Sequence, residues 1–119
     1  MPKDRTHKVS CSSYRCEIEV TLEVISGKWK ALLLWNLGNE EIIRFNEFRR
    51  IIPEISQKML TQQLRTLEDD GLVIRTEYPQ VPPMVEYSLS EMGLKLIPVL
   101  NAMDIWGKEF VDYYRNDKK

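Results

Sequence analysis

The chain has 119 residues, 43% of them hydrophobic and 29% charged, with 17 Lys+Arg against 18 Asp+Glu for a formal net charge of −1. That is one domain's length, with enough apolar content to exclude intrinsic disorder, and no apolar run reaches the length of a membrane span. The opening Met1-Pro2-Lys3-Asp4-Arg5 has no apolar stretch of the kind that marks a secretory signal, so a cytoplasmic protein with no membrane partner is the expectation.

The near-zero total conceals blocks of opposite sign. Residues 1–15 sum to +3, residues 16–43 to −3, residues 44–65 to +3 and residues 66–119 to −4. The local field, rather than the total, governs what docks on each part.

Residues 1–15 are polar and charged without a period, which reads as a mobile arm ahead of a domain spanning 16–119. Ile18, Leu22 and Ile25 recur at helical spacing over Glu17–Ile25. A second helix is expected from Lys28 to Leu37, apolar almost all round and ended by Gly38. Residues 40–44 offer a short extended segment at most.

Two helices with a tight connection follow. The first, near Asn46–Ile52, places Phe45, Phe48, Ile51 and Ile52 on one side and is stopped by Pro53. After a turn through Glu54 and Ile55, Ser56 is a good N-cap for the second, which should run to about Asp70 before Gly71 closes it in the left-handed conformation. This is the pattern of a helix-turn-helix. Beyond Gly71 the apolar period changes to two, over residues 72–78 and again 84–89, with three prolines in the tip Pro79-Gln80-Val81-Pro82-Pro83. That reads as a β-hairpin, or wing. Ser90 is then expected to cap a long final helix carrying Leu94, Ile97, Leu100, Met103, Trp106, Phe110 and Tyr113, kinked or loosened by Pro98. The fold class is therefore mainly α with a small β-hairpin (α+β), a winged helix-turn-helix with added terminal helices.

On a wheel of the Ser56–Asp70 helix, Leu64 and Leu67 lie within roughly 40° of Leu60, while Lys58, Thr61, Gln62 and Arg65 fall at roughly 160°, 100°, 200° and 140°. One face is core, and the opposite face carries the donors that read base edges in a major groove. A solvated amphipathic helix also has a polar face, but it mixes both signs, and no acidic residue occurs from Ile55 to Leu67. Ser56 and Gln57 stand at the helix N-terminus, where free N–H groups favour a phosphate. Arg44, Arg49 and Arg50 precede the turn, where the first helix of such a motif crosses the DNA backbone. Arg75 and Gln80 could reach a minor groove or phosphates from the hairpin, the alternative being a solvated hairpin.

Cys11 and Cys16 are spaced C-x4-C, which matches no common zinc or thioredoxin pattern. Cys16 lies beside Arg15 ahead of a helix, which favours reactivity toward oxidants or electrophiles, whereas Glu17 and Glu19 oppose it. The alternative is a small apolar residue packed at the helix start. With five glycines, one histidine and no phosphate loop, nucleophile elbow or HExxH, the sequence predicts neither an enzyme nor a metal site, and it calls for no cofactor.

The runs Gly27-Lys28-Trp29, Arg44-Phe45-Asn46-Glu47-Phe48-Arg49-Arg50, Ile55 through Arg65, Leu67 through Val73, Tyr78-Pro79, Val85 through Leu89 and Trp106-Gly107 resemble the HxlR-type winged helix-turn-helix regulators of bacteria, relatives of the MarR group. The resemblance covers about three-quarters of the chain, Cys16 to Gly107. It implies a homodimeric transcription regulator of an inverted-repeat, double-stranded DNA operator. It also implies dimerisation through the terminal helices, here through Ile18, Leu22, Leu100, Met103, Trp106, Phe110 and Tyr113. In several members a cysteine at the start of the first helix senses quinones, aldehydes or oxidants, and Cys16 matches that position, although Glu17 follows it where the family often has proline. The inducer could be an oxidant, an electrophile or a small aromatic. A different reading is a ligand-gated regulator or protein-interaction module without thiol sensing, with a pocket lined by Trp29, Trp106 and Tyr113.

Overall fold

In a computed structural model, residues 16–117 are described. The expected arm, with His7 and Cys11, lies outside the described residues. The elements run α1 (Glu17–Ile25), α2 (Lys30–Glu40), β1 (Ile43–Arg44), α3 (Phe45–Ile51), α4 (Gln57–Asp69), β2 (Val73–Tyr78), β3 (Met84–Leu89), α5 (Glu91–Leu94) and α6 (Ile97–Asp117).

The core forms where α2, α3 and α4 meet the inner face of the sheet. Leu33, Leu34 and Leu37 of α2, Phe48 of α3, and Leu60, Leu64 and Leu67 of α4 are each at most 1% exposed, together with Ile43 and Ile55. The α2 helix is less uniformly buried than its composition suggested, since Leu32 is 44% exposed.

The structure extends α2 to Glu40, so Gly38 lies within the helix instead of ending it. Ile97 of α6 packs there, its Cδ1 only 2.5 Å from where a Cβ at position 38 would stand. The helix ends at Glu41, which takes φ +71° and ψ −53°, and the Ile42 N–H donates to the Glu40 carbonyl at 2.8 Å. This γ-turn throws the chain into β1. The short extended segment is thus a third strand: β1 pairs antiparallel with β3, and β3 with β2, in the order β1-β3-β2.

At the start of α3 the Arg44 N–H donates to Glu47 Oε1 at 2.8 Å, filling one of the open positions of the first turn. Phe48 and Ile52 are buried as expected, but Ile51 is 40% exposed because α3 ends there and the chain turns away. The α4 helix begins as the sequence predicted, with Ser56 Oγ accepting from the Met59 N–H at 3.0 Å. It closes with Gly71 at φ +81°, the Gly71 N–H donating to the Glu68 carbonyl and the Leu72 N–H to the Leu67 carbonyl, both at 3.0 Å. These two bonds form a Schellman motif and deliver the chain into β2.

The single long helix expected after Ser90 is two helices. Ser90 Oγ accepts from the Gly93 N–H at 3.0 Å and donates to the Gly71 carbonyl at 2.6 Å, capping α5 and tying it to the end of α4. The α6 helix then starts at Ile97, with Pro98 in its first turn, where the missing N–H removes no intrahelical bond. Leu100 is 4% exposed and belongs to the protomer's own core, so it leaves the outward stripe assigned to it from sequence. The rest of that stripe is solvent-facing: Met103 46%, Trp106 64%, Phe110 47% and Tyr113 65% exposed. Ile18 and Leu22 of α1 are likewise exposed.

Candidate nucleic-acid interface

Burial of Leu60, Leu64 and Leu67 fixes the rotation of α4 about its axis. Gln57, Lys58, Thr61, Gln62 and Arg65 are all exposed on the other side and together line one open depression of about 630 Å³. The donor face read from the wheel is therefore a continuous surface. A second, deeper cleft of about 730 Å³ lies between α3, α4 and the hairpin, and Thr61 and Arg65 belong to its wall as well. Arg44, Arg50, Arg75 and Gln80 line this cleft too, so most of the sequence-predicted side chains converge on two adjoining concavities. Arg49 is exposed on α3 but lines neither one, and Ser56 is exposed at the N-cap of α4. Among the described residues no ion pair engages Arg49, Arg50, Lys58 or Arg65.

The arginines on the strands are placed differently. Arg44 sits on β1 opposite Glu86 of β3, with 4.0 Å between Nε and Oε2, rather than on a helix crossing the backbone. Arg75 Nη1 donates to Glu77 Oε1 at 3.3 Å, and Arg75 stands directly across the strand pair from Tyr87 on the wall of the same cleft. The neighbouring Tyr87 hydroxyl is the main cause lifting Arg75 above its ordinary range. Tyr87 itself is held above the usual phenol range by burial, with Arg75 pulling the other way. Tyr78 is raised by the nearby Glu86 carboxylate. The depression on α4 presents cations and neutral hydroxyl and amide donors alone, and the cleft sets Arg44, Arg50, Arg65 and Arg75 among two carboxylates, Glu47 and Glu68, a surplus of cations suited to phosphates and base edges.

Sequence reasoning missed Tyr87, Asn46 and the prolines Pro82 and Pro83 as walls of the cleft, and Glu77 and Glu86 as partners of Arg75 and Arg44. The alternation along residues 84–89 marked Tyr87 as one-faced, but the pairing of Arg75 with Tyr87 and of Arg44 with Glu86 depends on strand register. Trp29, assigned with Trp106 and Tyr113 to a ligand pocket, instead packs against the core with Lys28 Nζ 4.7 Å above its ring, while the other two face solvent from α6. Cys16 is an exposed free thiol at the N-cap of α1. Among the described residues no group of three His, Cys, Asp or Glu side chains is placed to hold a metal, and no helix is long and apolar enough to cross a membrane.

A helix with an acid-free donor face, set beside a second helix and a β-wing, defines a DNA-binding winged helix-turn-helix protein. Residues 24–115 match the HxlR-like helix-turn-helix family, and the chain belongs to that family. It is 53% identical over 97 residues to the uncharacterized HTH-type transcriptional regulator YdeP of Bacillus subtilis, covering 82% of this chain and 75% of that one. Among solved structures it is similar to the redox regulator HypR in its reduced form, at 50% identity and a TM-score of 0.80, covering 85% of this chain and 99% of that one. To the oxidized form of HypR the values are 54% and 0.73, over 79% and 96%. The protein is thus a helix-turn-helix transcriptional regulator of the MarR-like winged-helix type, and its relatives are regulators rather than enzymes.

Proposed function

We propose that the protein is a homodimeric cytoplasmic regulator that reads an inverted-repeat operator, with α4 of each protomer in a major groove and the wing against the flanking backbone. The observation that carries this reading is the acid-free face Gln57, Lys58, Thr61, Gln62 and Arg65, continuous with the arginine-bearing cleft. Lys58, Gln62 and Arg65 contact bases; Arg44, Arg49, Arg50, Ser56 and Gln57 meet phosphates; Arg75 and Gln80 follow the wing. The exposed aromatic stripe of α6, with Ile18 and Leu22 of α1, supports dimerisation, since a monomer would leave Trp106, Phe110, Tyr113 and Tyr114 in water.

Cys16 supplies the signal in this reading. Its thiol is exposed at the start of α1, next to the helices proposed to form the dimer, and the chain is similar to a regulator solved in reduced and oxidised forms. Modification there by an oxidant or electrophile would shift one reading head relative to the other and spoil the half-site spacing. Hydroxyl-radical footprinting on the promoter of the protein's own gene tests the first part: two protected half-sites should lie about 10 bp apart or a multiple of it. A single protected half-site contradicts it. Diamide should release wild-type protein from this DNA but not Cys16→Ser, and an equal response of the two contradicts the thiol switch.

A further inference from the structure

Tyr87 stands in the middle of the sheet, paired with Ile43 of β1 on one side and Arg75 of β2 on the other. Tyr87 is 7% exposed, and its ring meets Phe48 of α3 edge to face, with centroids 6.1 Å apart and planes at 65°. Close packing on that side leaves the ring no room to swing. Tyr87 lines the cleft together with Arg65 and Glu68 of α4, and the register sets Arg75 directly across from it, so the hydroxyl is placed as the acceptor nearest the guanidinium on that wall and raises its pKa. Because burial disfavours the phenolate, the hydroxyl remains a neutral acceptor for the guanidinium.

Glu77 accepts from the same guanidinium at 3.3 Å. A guanidinium offers five N–H donors in one plane, so anchoring it at two points directs the remaining donors along a fixed line. Each such restraint lowers the rotamer freedom that a free arginine would give up on binding. A pre-aimed planar cation in a cleft beside the reading helix suits a tetrahedral, singly charged oxyanion.

We infer that Tyr87 is a positioning residue for DNA binding: its hydroxyl holds Arg75 over the cleft, where Arg75 takes a backbone phosphate of the DNA that α4 reads. The inference deepens the proposed function and rests on that reading of the face. A phosphate contact carries no sequence information, so Tyr87 governs affinity for all duplexes alike while the α4 donors govern preference among them.

Fluorescence anisotropy with the operator duplex and a scrambled duplex tests it, using the full chain and Tyr87→Phe, Arg75→Ala and the double variant. Phenylalanine keeps the ring against Phe48, so the thermal midpoint should not change. Tyr87→Phe should weaken both duplexes by about three- to tenfold. Arg75→Ala should weaken them further and lower the slope of log affinity against log salt by about 1. In the Arg75→Ala background, Tyr87→Phe should cost nothing more. Additive losses would make Tyr87 a structural residue acting independently of Arg75 and would overturn the inference. Arg75→Lys keeps the charge but not the planar fork, and should bind both duplexes as weakly as Tyr87→Phe; wild-type affinity in that variant also overturns it. Arg65→Ala separates the two failures. If it retains operator preference, the DNA-reading assignment of the face fails; if it loses preference while Tyr87→Phe binds like wild type, only the role of Tyr87 fails.

Discussion

Truncation of Phe110 to alanine tests whether a second copy covers α6. Phe110 is the hub of the exposed stripe, stacked on Trp106 with centroids 5.1 Å apart and within 6.4 Å of both Tyr113 and Tyr114. A fully buried aromatic side chain removes about 150–250 Å² from water. Phe110 is 47% exposed, which leaves on the order of 90 Å² for a partner to cover, or about 2 kcal/mol at roughly 25 cal/mol per Å². Two-fold symmetry repeats the loss in each protomer, so dimerisation should weaken by about 4 kcal/mol, close to a thousandfold in Kd. Sedimentation velocity of fluorescently labelled protein, diluted from micromolar to nanomolar, measures this directly. Alanine is a strong helix former, so circular dichroism should show α6 retained. An unchanged dimer Kd in the variant, or a wild-type protein that is monomeric throughout, would refute the reasoning.

Ser56→Ala removes the acceptor of the Met59 N–H and should lower stability by about 1 kcal/mol in urea unfolding, and it should also weaken DNA binding by loosening the first turn of α4. Gly93→Ala drives a methyl into the Leu72 carbonyl, a backbone atom that cannot swing aside, and should destabilise by about 1–3 kcal/mol; the same denaturation experiment should show it, with an unchanged m-value. Arg49→Ala, which removes an exposed cation from α3, should weaken operator and scrambled DNA equally and reduce the salt slope by about 1 in an anisotropy titration.

The reading helix was legible because its signals are local. Ser56 as N-cap, the Leu60, Leu64, Leu67 spacing and Gly71 at positive φ each depend on residues within a few positions, and together they fix where α4 begins, how it is rotated and where it stops. The end of α2 was not legible, because Gly38 answers to Ile97, nearly sixty positions away in the chain, while the turn itself falls on Glu41 in a conformation no glutamate advertises. The two-residue β1 exists only through its pairing with β3. Helical period identified the apolar stripe of the last helix but could not say that Leu100 turns inward while Trp106 and Phe110 turn outward, since both belong to the same broad face. In the site, the helix-borne donors were readable from a wheel. Glu77 lies two positions from Arg75 on one strand face and was within reach of the alternation, but the placing of Glu86 beside Arg44 and of Tyr87 across from Arg75 needed the strand register, which a one-residue slip would have inverted.

The central claim is that the outward face of α4 reads bases. Arg65→Ala tests it most directly, with affinity measured in parallel on the operator and on a scrambled duplex of equal length at one salt concentration. A loss of about 1–3 kcal/mol is expected on the operator and a much smaller one on the scrambled duplex, so that the preference between them collapses. Operator affinity equal to the wild type, or an equal loss on both duplexes, would contradict it.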